Sequence, residues 1–191
     1  MVGNTPNYYS IDVLRCFLKL GRNFGRQGLA SELELGEGTI RTILGILKSK
    51  KLLSSTKKGH FLSRKGREIF DDITQSISVP KAFTAKTIYP EYKKIAVHIK
   101  NAPALKETYR LRDIAVKNGA EGAVILKFKD RLYAPEDDVR QNFGKLEEQF
   151  DLINGDVLII GFSNGKKDAE NGALSVAAEL SGALKKFIKK L

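Results

Sequence analysis

The sequence predicts an α+β / α/β chain of two domains. A helical N-terminal domain closed by a β-hairpin occupies residues 1–75, a linker residues 76–91, and a C-terminal α/β domain with a mixed sheet covered by helices residues 92–191. Three observations predict this. Before residue 75 apolar residues recur at helical spacing. The stretch SISVPKAFTAKTIYPEY carries two prolines and little periodicity, as a boundary does. After it, apolar strand-like runs alternate with helical ones. A length of 191 residues, 42% of them hydrophobic, suits one large or two small cores.

Residues 1–9 are polar, with Gly3, Asn4 and Pro6, and read as a tail. Ser10 is a good helix N-cap with Asp12 in the first turn, and Ile11, Leu14, Phe17 and Leu18 form a stripe that ends before Gly21. Cys16 lies within this helix as a space filler. It is the one cysteine, so the chain has no intrachain disulfide and no cysteine-rich metal site. A loop from Gly21 to Gly28 holds Arg22 and Arg26. LASELEL then makes a short helix facing inward through Leu29, Ala30 and Leu33, and Gly36 breaks it.

The next helix, from Glu37, places Ile40, Ile43, Leu44 and Leu47 on one narrow core face. Its opposite face carries Gly38, Thr42, Gly45 and Ser49, flanked by Thr39, Arg41 and Lys48. A solvated outer face is the ordinary account of such a helix. The two glycines argue for more, because each costs about 1 kcal/mol of helix propensity relative to alanine, and a close approach of the backbone to an outside partner would explain them. Helix, short helix, tight turn and helix have the order of a helix-turn-helix. KLLSSTKKGHFLSRKGREIF continues as a hairpin whose tip holds Lys57, Lys58 and Gly59. Ser63 then caps a further helix through Ile69, Phe70 and Ile73.

LASELELGEGTIRTILGILKSKKLL followed by KKGHFLSRKGREI resembles the winged helix-turn-helix family of prokaryotic transcriptional regulators, the second segment matching the family's wing and its G-x-x-L-(S/T)-x-x-G ending. The resemblance implies that Thr39, Arg41 and Thr42 meet bases or phosphates in the major groove, with Arg41 suited to a bidentate contact to guanine. It also implies that Lys48 reaches the DNA backbone. Lys57 and Lys58 would contact phosphate or a neighbouring minor groove, with Arg64 and Lys65 close behind. Any single lysine is equally a solvated surface charge. The recognition face carries few base-reading side chains, which weakens the expectation of strong sequence specificity.

A formal charge of +11 and a pI near 9.7 favour a polyanionic partner. The surplus is not confined to the first domain: residues 1–75 hold 13 Lys and Arg against 7 Asp and Glu, and the remainder 20 against 15. Part of it is therefore consistent with a general surface habit such as that of a heat-adapted organism. No run approaches the ~18 apolar residues of a spanning helix, and no signal peptide opens the chain. A cytoplasmic protein without membrane contact is expected.

In the second half, YKKIAVHIK reads as a strand, ALKETYRLRDIAVKNGA as a helix, and EGAVILKFKDRLYAP as a strand pair turning at Asp130 and Arg131. DDVRQNFGKLEEQF reads as a helix begun by Asp137 and Asp138, GDVLIIGFS as a buried strand, and ENGALSVAAELSGALKKFIKKL as one long final helix. That last helix is apolar over well over half its circumference, so it is covered on two sides, by its own sheet and another helix or by a second subunit. No P-loop, G-x-S-x-G elbow or paired-histidine metal signature occurs. His60 and His98 are isolated in sequence, where a ligand role is uncommon. No cofactor, metal or catalytic residue is predicted.

The sharpest polar constellation is GFSNGKKDAENGAL, in which Ser163, Asn164, Asp168, Glu170 and Asn171 would supply ligand contacts at the end of the apolar strand. An ordinary polar loop, capped by Asp168 or Asn171, accounts for the same residues. Lys127, Lys129 and Arg131 are a second candidate for an acidic ligand, more simply explained as the wet face of a sheet.

The whole chain also resembles archaeal winged-helix proteins that carry a C-terminal domain of unknown function. The expected function is that of a DNA-binding transcriptional regulator, not an enzyme, acting as a homodimer on double-stranded DNA. Its C-terminal domain would dimerise the chain or sense a small-molecule effector. The alternatives are an enzyme with its active site in the 161–174 loop and an accessory winged helix, and a winged helix serving protein or RNA interaction.

Overall fold

The computed structural model describes residues 8–21, 24–57, 59–135 and 142–191. Two compact units divide the chain between Asp72 and Ile73, the first also taking Lys186–Leu191. The division falls inside a helix, upstream of the expected linker. Residues 81–83 of that linker are an edge strand of the second unit.

The first unit runs α1 (Ser10–Lys19), α2 (Arg26–Leu33), α3 (Glu37–Ser49), β1 (Leu53–Thr56), β2 (Gly59–Leu62) and α4 (Arg64–Ser76), whose last residues belong to the second unit. This is the order of a winged helix-turn-helix. Leu14 and Phe17 of α1, Leu29 and Leu33 of α2, and Ile40, Ile43 and Leu47 of α3 are fully buried, so the predicted core face of α3 is its inner face. Phe17 packs against Phe187 at 4.6 Å between ring centroids. Burial pushes the Cys16 thiol up to about 12, although the Arg15 charge opposes it, so Cys16 stays a thiol in the core.

Three local details differ from the sequence expectation. The N-cap of α1 is Tyr9 rather than Ser10, its N–H donating to Asp12 Oδ2 at 3.0 Å. Asp12 is not a surface dipole partner but is sealed with Arg15, which donates to Asp12 Oδ1 and to the Leu33 carbonyl, each at 3.1 Å. The pair therefore ties α1 to the end of α2. In the turn between α2 and α3 the left-handed residue is Glu34, at φ 53°, and Gly36 sits at an ordinary φ of −61°.

The G-x-x-L-S-x-x-G segment has a mechanical explanation. Gly59, at φ 127°, lies where a Cβ would be 2.8 Å from the Phe24 carbonyl oxygen, and Phe24 pairs with His60 beside the hairpin. Ser63 donates its N–H to the Leu52 carbonyl at 3.0 Å and its hydroxyl to the Lys51 carbonyl at 2.7 Å. The same hydroxyl oxygen accepts the Gly66 N–H at 3.0 Å and starts α4. Gly66 then passes so close to the Leu52 carbonyl that any Cβ would overlap it.

The second unit holds a five-stranded sheet in the order β3 (Lys81–Phe83), β4 (Lys93–Ile99), β7 (Val157–Ser163), β5 (Gly122–Lys129), β6 (Arg131–Tyr133). Every pairing is antiparallel, so the sheet is not mixed. β4 and β5 do run parallel, with α5 (Thr108–Lys117) between them in sequence, but β7 lies between them in space. The strand–helix–strand alternation of β4, α5 and β5 thus contains no parallel pair.

On one face α7 (Lys166–Leu180) packs over β4 and β7 beside α5. Two glycines set its depth: a Cβ on Gly161 would overlap the Ala169 carbonyl, and one on Gly172 would be 2.5 Å from the Ala120 Cβ. The other face carries Ala96, Leu126, Leu158 and Ile160 under Ile88, Phe143 and Leu146. Of the helix expected over 137–150, the start lies outside the described residues, and the described part holds a single turn, α6 (Gly144–Glu147). The expected final helix is two, α7 and α8 (Gly182–Ile188), broken at Ser181 with ψ 115°.

At one end of the sheet buried Asp156 accepts from His98 Nε2 at 2.7 Å and from the N–H groups of Asn101 and Ile153, each at 2.9 Å. Burial raises its pKa, but these donors outweigh burial and hold it below the usual carboxylate value. The cluster pins two loops to the end of β4.

Candidate nucleic-acid interface

α3 presents one outer stripe. Gly38, Arg41, Thr42, Gly45, Lys48 and Ser49 are exposed, and Thr39 is half-buried. Arg41 and Lys48 lie two turns apart on the same side, about 10 Å along the axis at 1.5 Å per residue, with Gly45 between them. Among the described residues neither makes a hydrogen bond or ion pair. The hydroxyls are turned inward along the helix, Thr42 donating to the Gly38 carbonyl at 3.2 Å and Ser49 to the Ile46 carbonyl at 2.8 Å. A Cβ built on Gly38 or Gly45 meets nothing within 4 Å. Among the described residues nothing asks for glycine at either position.

The sequence-predicted basic residues separate into groups. Lys57 is exposed at the hairpin turn, and Lys58 lies outside the described residues. Arg64, on α4, pairs with Glu68 at 3.2 Å while remaining largely exposed. Lys65 is occupied, donating to the Lys50 carbonyl at 3.1 Å beyond the end of α3.

Two residues that the sequence reading passed over join the surface. His60, on β2, is held by Ser55 Oγ at 2.8 Å from Nδ1. Its pKa lies below the ordinary imidazole value, first because it is partly buried and then because the charges of Arg26 and Lys48 face it. Arg26 opens α2 and pairs loosely with Glu37, the first residue of α3, at 3.6 Å. Arg26, Lys48 and His60 thus bring three helix-turn-helix and hairpin elements to one positive spot. A lone histidine in a turn carries no sequence signal of this; only the Phe24–His60 pairing places it.

A phosphate laid on that spot would favour the protonated imidazole. Were this surface to bind DNA, affinity would be expected to rise as pH falls through the range below about 6.5, by up to about tenfold per pH unit while one proton is taken up. His60→Asn should flatten the dependence. Titrations between pH 5.5 and 8 at constant salt measure it, and an unchanged slope in the variant would show that His60 faces no phosphate.

The ligand residues predicted in the second unit differ in element and in exposure. Gly165 is the N-cap of α7, which starts at Lys166, so Asp168, Glu170 and Asn171 are helical rather than loop residues and neither Asp168 nor Asn171 is the cap. At 100° per residue Asp168 and Asn171, spaced i, i+3, share one side of the helix, and Glu170 projects to another. Ser163 ends β7 and is buried, as are Glu170 and Asn171. Asn164 is exposed and reaches Glu121 Oε1 at 3.5 Å. Among the described residues no cluster of three or more His, Cys, Asp or Glu could hold a metal ion, and no helix is long and apolar enough to cross a membrane.

Fold and surface define a two-unit α+β protein with an N-terminal winged helix. Residues 11–68 match the family model described as the PH0730-like N-terminal domain, and residues 91–180 match a domain of unknown function, DUF4443. Among solved structures the chain is similar to hypothetical protein PH0730 from Pyrococcus horikoshii OT3, at 33% identity and a TM-score of 0.80, over 96% of this chain and 99% of that one. The chain belongs to the PH0730-like family. No curated protein matches it.

Proposed function

We propose that this protein is a DNA-binding transcriptional regulator, binding double-stranded DNA as a homodimer through α3 and the hairpin of its first unit. One observation carries the reading: the outer stripe of α3 combines two glycines and Arg41 and Lys48, and among the described residues nothing requires the glycines or pairs with the cations. A bare helix face flanked by cations lets the backbone approach a groove while the cations meet phosphate and base edges. The adjoining Arg26, Lys48 and His60 cluster and exposed Lys57 extend that surface.

The test is selection from a random double-stranded DNA pool at several salt concentrations. Lys48→Ala and Lys57→Ala should each flatten the salt dependence by about one unit of slope. Arg41→Ala should relax preference at one base position by about 1–3 kcal/mol. Selection of an inverted repeat by the native chain would support the dimer. Binding no tighter than that of an unrelated basic protein would reject the proposal.

A further inference from the structure

The second unit contains a cavity of about 560 Å³ at the end of the sheet where β5 begins and β7 ends. Its size falls in the range of sites for small molecules. It shares Phe162 with the 161–174 stretch but none of the five polar residues predicted as ligand contacts there. The floor is Gly122 and Val124 of β5 with Phe162 of β7, residues on the sheet face away from α7. Ile88, Ala134 and Phe143 supply further apolar wall.

Aromatic surface is concentrated on one side. Tyr89 lies flat on Phe162, with ring centroids 4.1 Å apart and planes at 19°, and Tyr92 adds a third ring at 5.5 Å from Phe162. Tyr89 holds φ 40°, a left-handed backbone that bulky residues seldom adopt. It keeps this conformation with its ring half exposed at the cavity.

Two charges line the opening. Arg112 of α5 is half-buried, one turn before the cavity-lining Val116, and makes no hydrogen bond or ion pair among the described residues. Glu121, just before β5, is the second. One guanidinium without a partner among the described residues, beside apolar and aromatic walls, fits a single anionic group attached to a flat apolar body. The Glu121 carboxylate disfavours a second negative charge, which argues against nucleotides and diacids.

We propose that this cavity is a binding site for a small aromatic monocarboxylate, with its carboxylate on Arg112 and its ring among Phe162, Ile88 and Phe143. As an effector site it would rest on the DNA-binding reading. As a binding site it does not, and the test reads binding without DNA.

The probe is 8-anilinonaphthalene-1-sulfonate, an aromatic monoanion whose fluorescence rises in apolar surroundings, titrated into the full chain under native conditions. We expect saturable one-site binding, displaced by 1-naphthoate and not by equal concentrations of the neutral 1-naphthalenemethanol. Arg112→Leu should weaken it about tenfold or more, and Val124→Trp, which fills the cavity, should abolish it. Ala134→Phe is a second filling variant, and Arg110→Leu, at a residue paired with Glu107 outside the cavity, should bind as the native chain does. Thermal melting confirms that each variant is folded. Absence of saturable binding, equal displacement by the neutral alcohol, or native affinity in folded Arg112→Leu and filling variants would overturn the proposal. DNA selection on the same variants separates this outcome from failure of the regulator reading.

Discussion

Arg15→Ala is expected to destabilise the folded chain by about 3–5 kcal/mol, the usual cost of stripping one partner from a buried ion pair. The Arg15 and Asp12 side chains are 0% and 1% exposed. The substitution leaves Asp12 with the Tyr9 N–H alone among its hydrogen bonds described above, and leaves the Leu33 carbonyl without its guanidinium donor. Those losses fall on the junction of α1 and α2, on which the placement of α3 depends. Removing both charges with Asp12→Ala and Arg15→Met should restore much of the stability, because an apolar pair leaves no unsatisfied ion. Urea denaturation measures this as a lower midpoint at unchanged slope. A loss below about 1 kcal/mol, the range of exposed pairs, would mean that water reaches the pair.

The glycines of α3 should separate stability from function. Gly38→Ala and Gly45→Ala place a methyl in open space and should each stabilise the chain by up to about 1 kcal/mol, from helix propensity alone. Gly45→Leu should fold as well as Gly45→Ala, since its side chain also meets solvent. On DNA it would stand between Arg41 and Lys48 and hold the helix off the groove, and binding should fall by about 10²-fold or more, the scale of a few lost contacts at 1–3 kcal/mol each. Thermal melting and DNA titration on the same preparations measure both halves. Native affinity in Gly45→Leu would remove α3 from the interface whatever the rest of the surface does.

These two sites show what the sequence could and could not disclose. Ile40, Ile43, Leu44 and Leu47 report the inner face of α3 by their spacing, and the outer glycines follow from it, because helical periodicity is local. Asp12 and Arg15, spaced i, i+3, look identical whether they lie in water or in the core; only the approach of Leu33, 18 residues from Arg15, distinguishes the cases. The polar, glycine-bearing run at 165–169 reads as a loop by propensity, yet packing against β7 and α5 makes it helix from Lys166 onward. The cavity was illegible for a related reason. Its walls come from a proline-flanked stretch taken as linker, from α5, and from two strands whose adjacency depends on pairing across about forty residues.

The central place of β7 also has a consequence for how the chain is made. β4 and β5 leave the ribosome well before the strand that joins them, since Val97 pairs with Ile159. Until β7 is synthesised, each of them keeps an open hydrogen-bonding edge, rich in isoleucine and valine, with no neighbour to close it. Closing the sheet is then a late event of high contact order, and the interval before it is the period in which nascent chains are most exposed to sticking to one another. The first unit has a wait of its own, because Phe187, which packs on Phe17, follows β7 in the chain.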